Sequence, residues 1–116
     1  MAAACSHRLL LLLAALILAV AGTALSPVAT AAPPATHTVT MDGSRFDPST
    51  LAVKAGDTIV WVNKDLFPHT ATGKAKEFDS GSIAAEGSWE YVAKEPGEHA
   101  YVCTFHPTMA GKITVR

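Results

Sequence analysis

The feature that most constrains the fold of this chain is a series of short β-forming runs between residues 37 and 116. In most of these runs apolar and polar side chains alternate, and glycine, proline or aspartate separates one run from the next. No stretch of this region has the longer period of an amphipathic helix, so the pattern predicts an all-β sandwich or barrel of antiparallel strands. The predicted strands are 37–41, 51–53, 58–63, 87–93, 97–103 and 111–116.

Alternation also predicts which side chains share a face. His99, Tyr101 and Cys103 lie on one side of their strand, and we expect Tyr101 in the core beneath Cys103. The chain should then turn over one end of the sandwich, and the last strand should begin at Gly111. We expect Met41, Trp61 and Trp89 to be core residues as well. Residues 69–72 fit a further strand, and 73–85 fit either one helical turn or a short strand.

The first 31 residues are organised like an export signal. A cationic start precedes an apolar run of 13 residues, 9–21, and small residues follow as far as Ala31. The run is shorter than the ~20 residues that a membrane-spanning helix needs. We therefore expect 1–31 to be a signal peptide cleaved during export to the periplasm or cell exterior. The flexible lead-in is then 32–36 and the functional domain 37–116, while an uncleaved anchor is the alternative.

Cleavage after Ala31 leaves about 85 residues with 8 basic and 10 acidic side chains, a formal charge of −2. This length predicts a single domain, which we expect to be monomeric and not inserted in a membrane. The charge gives no basic surface for nucleic acid. Cys5 leaves with the signal, so Cys103 is the only thiol that remains. Without a partner for an internal disulfide, an exported thiol is expected to take part in other chemistry.

Cys103 begins a short stretch that holds three metal-binding side chains. Two residues separate it from His106, and two more separate His106 from Met109. On a tight loop this spacing allows a thiolate, an imidazole and a thioether to converge. Soft sulfur donors combined with imidazole select copper, above all where the thioether is a weak and distant ligand. Zinc is the alternative ion, but it prefers carboxylate to a thioether.

A fourth ligand has to come from another histidine, and the domain offers His37, His69 and His99. We choose His69, because it follows Pro68 just after strand 58–63, in a loop that can lie at the same end as Cys103. His37 and His99 are interpreted as strand residues without metal. Two histidines and one cysteine with an axial methionine form the blue-copper electron-transfer site.

Four segments also carry a family resemblance: 53-VKAGDTIVWVN-63, 67-FPHT-70, 78-FDSGSI-83 and 96-PGEHAYVCTFHPTMAGKITV-115. They resemble the small type I (blue) copper proteins of the cupredoxin family, and the loop spacing is most similar to that of the amicyanins. The resemblance implies a Greek-key β-sandwich with one type I copper ion at one end. By position it implies the ligands His69, Cys103, His106 and Met109, with electron exchange through His106.

Three departures from the family pattern bear on the site. Thr70 stands where many members have an asparagine that ties the two ligand loops together. Val102 replaces the surface tyrosine that plastocyanins use as a second docking route, so exchange should favour the His106 end. Phe105 replaces a proline of the amicyanins, and we expect its backbone N–H to donate to the Cys103 sulfur.

Three functions compete for these residues. The first is a non-enzymatic carrier that cycles between Cu(I) and Cu(II) and meets its redox partner at an apolar rim around His106. The rim residues would be Leu66, Phe67, Pro68 and Pro107. The second is a copper storage or delivery module. The third, a Cys–His nucleophilic enzyme, has too little chain for a substrate cleft and leaves Met109 without a role. We favour the carrier.

Overall fold

The computed structural model describes residues 22–116. Within them, 22–35 carry no helix or strand, and eight strands follow. No helix in this part of the chain is long and apolar enough to cross a bilayer. The predicted signal peptide, 1–31, lies mostly outside the described residues. The strands are β1 (Thr36–Met41), β2 (Phe46–Asp47), β3 (Thr50–Val53), β4 (Thr58–Asn63), β5 (Thr72–Gly73), β6 (Ser88–Val92), β7 (Gly97–Cys103) and β8 (His106–Val115).

The strands form two four-stranded sheets, so the sandwich is confirmed and the barrel is excluded. One sheet has the order β2-β1-β4-β6 and the other β3-β8-β7-β5. The expectation of purely antiparallel pairing is wrong, because β1 pairs with β4 and β3 pairs with β8 in parallel. The chain crosses to the second sheet at β3 and returns at β4. A strand that returns after such a crossover can run in the same direction as its neighbour, whereas a hairpin reverses direction.

Strand bounds follow the alternation except near the ligand-bearing loop. The predicted strands 58–63 and 97–103 coincide with β4 and β7. The last strand, however, begins at His106 and not at Gly111, because the β7–β8 ladder continues through a bulge to the pair Cys103–His106. Residues 73–85 contain no helix; β5 and isolated bridges hold this segment. Two-residue β2 was not predicted, since it is too short to show alternation.

The core lies between the sheets and confirms the predicted interior residues. Trp61 and Met41 are fully buried and Tyr101 is 1% exposed, while Trp89 packs against them half-buried. The Tyr101 ring lies so close to Gly111 that a Cβ there would overlap it. The glycine therefore allows β8 to pass directly over the aromatic core. This packing positions the end of β7, where Cys103 lies.

Candidate metal centre

His69 is carried by the loop that follows β4 and is completely buried. It forms an isolated bridge with Ile83, in which each backbone N–H donates to the other residue's carbonyl, at 3.1 and 2.7 Å. The side chain of Asn63, the last residue of β4, stabilises the preceding segment 64–68 by hydrogen bonds. The Asn63 side-chain amide donates to the carbonyls of Phe67 and Ile83 and accepts the Asp65 N–H. Three hydrogen bonds thus satisfy a buried amide and shape the ligand loop.

Cys103 and His106 face each other where β7 turns into β8. They form the last pair of the ladder, and only Thr104 and Phe105 lie between them. Cys103 is completely buried, whereas His106 is half-buried. The short turn therefore brings a thiol and an imidazole together by local geometry alone.

The tertiary fold adds His69 to this pair. The Cys103 Sγ lies 3.7 Å from His69 Nδ1 and 3.6 Å from His106 Nδ1, and the three donor atoms all lie within 4.8 Å of one another. Metal–sulfur and metal–nitrogen bonds of about 2.3 and 2.1 Å allow a sulfur and a nitrogen on one ion to be at most about 4.4 Å apart. The observed sulfur–nitrogen distances satisfy that limit. This donor set of one thiolate and two imidazoles fits a type I copper ion.

Met109, the fourth residue of the predicted set, lies on β8 and is 3% exposed. It is the first residue of the buried face of this strand, and Ile113 and Val115 continue that face. Its thioether therefore belongs to the interior at the end of the sandwich that carries His106. Its role as a ligand remains a prediction.

The two other histidines of the domain have different partners. His37 Nε2 lies 2.9 Å from Asp57 Oδ2. His99 Nε2 lies 2.7 Å from the Glu95 carbonyl oxygen, and its Nδ1 lies 3.7 Å from Glu77. Among the described residues, neither histidine joins the cluster of His69, Cys103 and His106.

Asp65 orients the His69 ring, a role that the sequence analysis missed. Its Oδ2 lies 2.7 Å from His69 Nε2, and its two oxygens accept the backbone N–H groups of Gly43 and Ser44. These hydrogen bonds, with that of Ser44 the largest effect, hold the pKa of Asp65 below its ordinary value despite the opposing effect of burial. An ionised carboxylate only accepts, so Nε2 carries the proton and Nδ1 presents its lone pair towards Cys103. The available signal was an aspartate four residues before the ligand histidine.

Thr70 ties the two ligand loops together. Its Oγ1 accepts the Thr104 N–H at 2.8 Å and lies 3.1 Å from the Thr104 hydroxyl, and the Thr72 hydroxyl donates to it at 3.0 Å. His69 and Cys103 are thus each followed directly by one member of this threonine pair. The shorter hydroxyl reaches far enough because the two loops meet closely here.

The hydrogen bond to the Cys103 sulfur differs from our expectation. It is donated by the Thr70 backbone N–H at 3.3 Å, and within residues 22–116 Phe105 donates none to this atom. Phe105 lies at the tip of the two-residue turn with 53% of its surface exposed. The prediction that the Phe105 N–H donates to the Cys103 sulfur is therefore wrong.

Exposed apolar side chains occur in the two loops that carry His69 and His106. Leu66 is 92% exposed, Phe67 45% and Phe105 53%, and Pro68 and Pro107 are exposed as well. The Phe67 ring centroid lies 5.6 Å from that of His106 and 5.1 Å from that of His69. The residues of the predicted apolar rim are thus exposed, Phe67 lies beside His106, and Phe105 is a further exposed apolar residue of the same turn.

Comparison with known proteins gives the same result as this geometry. The cupredoxin-like domain family matches residues 10–115. Plastocyanin of Synechococcus sp. is 31% identical and covers 93% of this chain and 92% of its own length; amicyanin of Paracoccus versutus is 30% identical and covers 77% and 72%. A solved methionine-to-leucine mutant of amicyanin superposes with a TM-score of 0.66 at 27% identity, covering 69% of this chain and 81% of its own.

These relatives are electron carriers and not enzymes. The donor set and the family together assign one type I copper ion to this chain and exclude the nucleophilic enzyme. The all-β architecture in two sheets agrees with the same conclusion. The chain belongs to the cupredoxin family.

Proposed function

We propose that this protein is an exported one-electron carrier whose copper is held by His69, Cys103, His106 and Met109. The convergence of His69, Cys103 and His106 within 4.8 Å is the observation that carries this proposal. Met109 supplies the fourth donor, because it is a buried thioether at the same end of the sandwich. Bound copper would supply a Cu(I)/Cu(II) couple, and the mixed sulfur and nitrogen donors suit both oxidation states.

The protein's own contribution is to hold the donors still. Asp65 fixes the His69 ring, and Thr70 links the residues that follow His69 and Cys103. A site whose ligands keep their places needs little rearrangement when one electron arrives or leaves, and that keeps the barrier to exchange low. The half-buried ring of His106 is the route between this site and the solvent.

The apolar rim of Leu66, Phe67, Pro68, Phe105 and Pro107 is the proposed docking surface for the redox partner. Exposed apolar side chains clustered around one polar group are typical of a protein interaction site. Docking on this surface would remove water between the two proteins and bring the partner's redox group close to His106. Electron exchange through the His106 ring would then cover only a short distance. The export signal in 1–31 implies that the encounter takes place in the periplasm or outside the cell.

The direct test is the electronic and electron-spin spectrum of the purified chain with Cu(II). We expect an intense visible thiolate-to-copper band, which Cys103→Ser abolishes. Thr108→Ser, an exposed position on β8, is the matched control and should keep the band. A colourless protein with cupric salt would contradict the assignment.

A kinetic test distinguishes a carrier from a delivery module. Electron exchange with a small-molecule or protein redox partner should be rapid, and Leu66→Asp should slow exchange with an apolar-faced protein partner. Val92→Asp is the control, since Val92 is an exposed apolar residue on β6 outside the rim. Rapid transfer of the metal to a copper-free acceptor, without electron exchange, would favour storage or delivery instead.

A further inference from the structure

All tyrosines and tryptophans of this chain lie in one connected array. The chain contains two of each. The ring centroids of Tyr101 and Trp61 are 5.5 Å apart, those of Trp61 and Trp89 5.6 Å, and those of Trp89 and Tyr91 6.0 Å. Phe78 packs against all four rings. Indole and phenol rings lose one electron to radical oxidants far more readily than the phenylalanine ring, so the array is a continuous series of oxidisable groups.

One end of the array lies beside the metal centre. Tyr101 and Cys103 are two residues apart on β7, both are buried, and alternation places them on the same face. Tyr101 is therefore the oxidisable ring that shares a strand face with the ligand sulfur. The next ring, Trp61, belongs to β4 in the opposite sheet, so the array crosses the core.

The other end reaches the surface far from His106. Trp89 and Tyr91 are half-buried on β6, the edge strand of its sheet. Tyr91 pairs with Ile59 near the start of β4, whereas the His69 loop follows the end of β4 at Asn63. Four residues of strand separate these positions, which corresponds to about 13 Å. The array thus gives the metal centre a second connection to the solvent.

The outer end of the array is open to water. Tyr91 is half-buried on an edge strand, so its phenol group can exchange a proton with the solvent. Burial first, and then the negative charges of Glu77 and Glu95, raise the pKa of Tyr91. Tyr91 is therefore a neutral phenol at the surface, and a phenol that loses an electron releases its proton to water.

We propose that this array repairs oxidative damage at Tyr91 with an electron from the reduced metal centre. A diffusible one-electron radical oxidant takes an electron from Tyr91, and the phenol proton leaves to the solvent. Trp61 and Trp89 would then relay an electron across the core to the tyrosyl radical, with the neutral Tyr101 ring bridging them to a cuprous ion held by the proposed donor set. Tyr91 would regain a proton from the solvent, so the oxidant would be reduced by one electron and the metal oxidised by one. This direction is spontaneous, because a phenoxyl radical is a much stronger oxidant than a cupric site.

The experiment uses the full chain in two forms, copper-loaded and reduced, and metal-free. A laser flash generates tris(bipyridine)ruthenium(III), a one-electron oxidant, and the tyrosyl radical is followed by its absorption and electron-spin signals. We expect the radical to decay several-fold faster in the reduced copper form than in the metal-free form. The readout is the lifetime of the tyrosyl radical and not the formation of Cu(II). The oxidant can also produce Cu(II) directly at the His106 end, but that reaction does not shorten the radical lifetime.

Variants then test the route itself. Trp61→Phe should lengthen the radical lifetime of the loaded protein towards the metal-free value, and Trp89→Phe, at a half-buried position, provides a second break if the core variant fails to fold. Phe46→Leu is the matched control: Phe46 contacts Tyr101 with a centroid distance of 4.6 Å but lies off the route, so the lifetime should not change. Lifetimes as short in both tryptophan variants as in the original chain would overturn the proposal.

This inference rests on the proposed copper site. The copper spectrum shows whether a negative result contradicts the copper site or only the electron-transfer route. A protein that turns blue on oxidation but shows equal radical lifetimes with and without copper overturns only the repair route. A protein that never develops the thiolate band overturns both proposals. Peptide mass mapping after oxidant exposure is the second readout, and covalent oxidation of Tyr91 should be greatest in the metal-free chain.

Discussion

At the scale of single residues, hydrogen bonds fix the positions of the proposed copper ligands. Two buried polar side chains outside the proposed donor set fix the position of His69: Asn63 shapes its loop, and Asp65 contacts its ring. Asp65 is the more informative, because three donors from two separate loops converge on one carboxylate. Outer hydrogen-bond partners of this kind set the tautomer and the orientation of a ligand histidine.

Replacing Asp65 by asparagine should therefore weaken copper binding. An amide group at this position turns a donor towards the N–H groups of Gly43 and Ser44, so the side chain can no longer satisfy all of its partners. We expect affinity to fall by about 10- to 100-fold, which is typical for the loss of such a partner. Chelator competition measures it, and Asp42→Asn, an exposed carboxylate in the neighbouring turn, is the control. Equal affinities in the two variants would contradict the proposed role.

At the scale of elements, the ligand loops are joined by hydroxyl groups where many family members use an amide. Thr70→Val keeps the shape of the side chain but leaves the Thr104 N–H without its acceptor. This hydrogen bond is only partly buried and Thr104 is exposed, so its loss should cost about 0.5–1.5 kcal/mol. We expect the unfolding free energy in urea to fall by that amount. Thr70→Ser retains the oxygen and should recover most of the loss. If valine and serine gave the same stability, the link between the loops would carry no energy.

The contact between β7 and β8 makes a second prediction at this scale. In Gly111→Ala the new methyl group overlaps the Tyr101 ring, so either the ring or β8 has to move. Overpacking of this kind costs about 1–3 kcal/mol, measurable by urea unfolding. The displaced ring lies two residues from Cys103, so a shift of the visible copper band should accompany the loss. Thr108→Ala, on the exposed side of β8, should change neither quantity.

For the whole molecule, one part of the pH dependence of stability arises at the start of β4, the end of this strand remote from the proposed metal centre. Asp57 accepts the backbone N–H groups of Ala35 and Lys54 and pairs with His37, in that order of effect, and together they lower the pKa of Asp57 from 3.8 to about 2. A lowered folded-state pKa stabilises the protein above the unfolded value. That stabilisation is lost as pH falls from 3.8 to about 2.

The prediction is a pH-dependent difference between the original chain and Asp57→Asn. Near neutral pH the original chain should be the more stable, and the gap should close as pH falls through the window between the two pKa values. Urea unfolding at a series of pH values measures the gap, and the comparison cancels the other carboxylates. A gap that stays constant down to the acid end of this window would contradict the assignment.

Much of this molecule was determined by its sequence alone. Strand patterns depend only on neighbouring residues, so the apolar run of β4 and the alternating run of β7 are predicted to the residue. The spacing of Cys103, His106 and Met109 also indicates copper without any tertiary contact. The choice of donor chemistry is likewise a property of the residues themselves. The role of Met109 and the boundaries of the signal peptide remain predictions from the same information.

Only the tertiary structure decided which distant groups meet. Several contacts join segments far apart in the chain: the parallel strand pairs, the three donors on Asp65 and the aromatic array. The hydrogen bond between Thr70 and Thr104 likewise spans 34 residues. No local period encodes such contacts, because they depend on the path of the chain between the sheets and on which loops reach the same end. The chemistry of a side chain is therefore a property of the residue itself, whereas its contact partners depend on how the two sheets pack together.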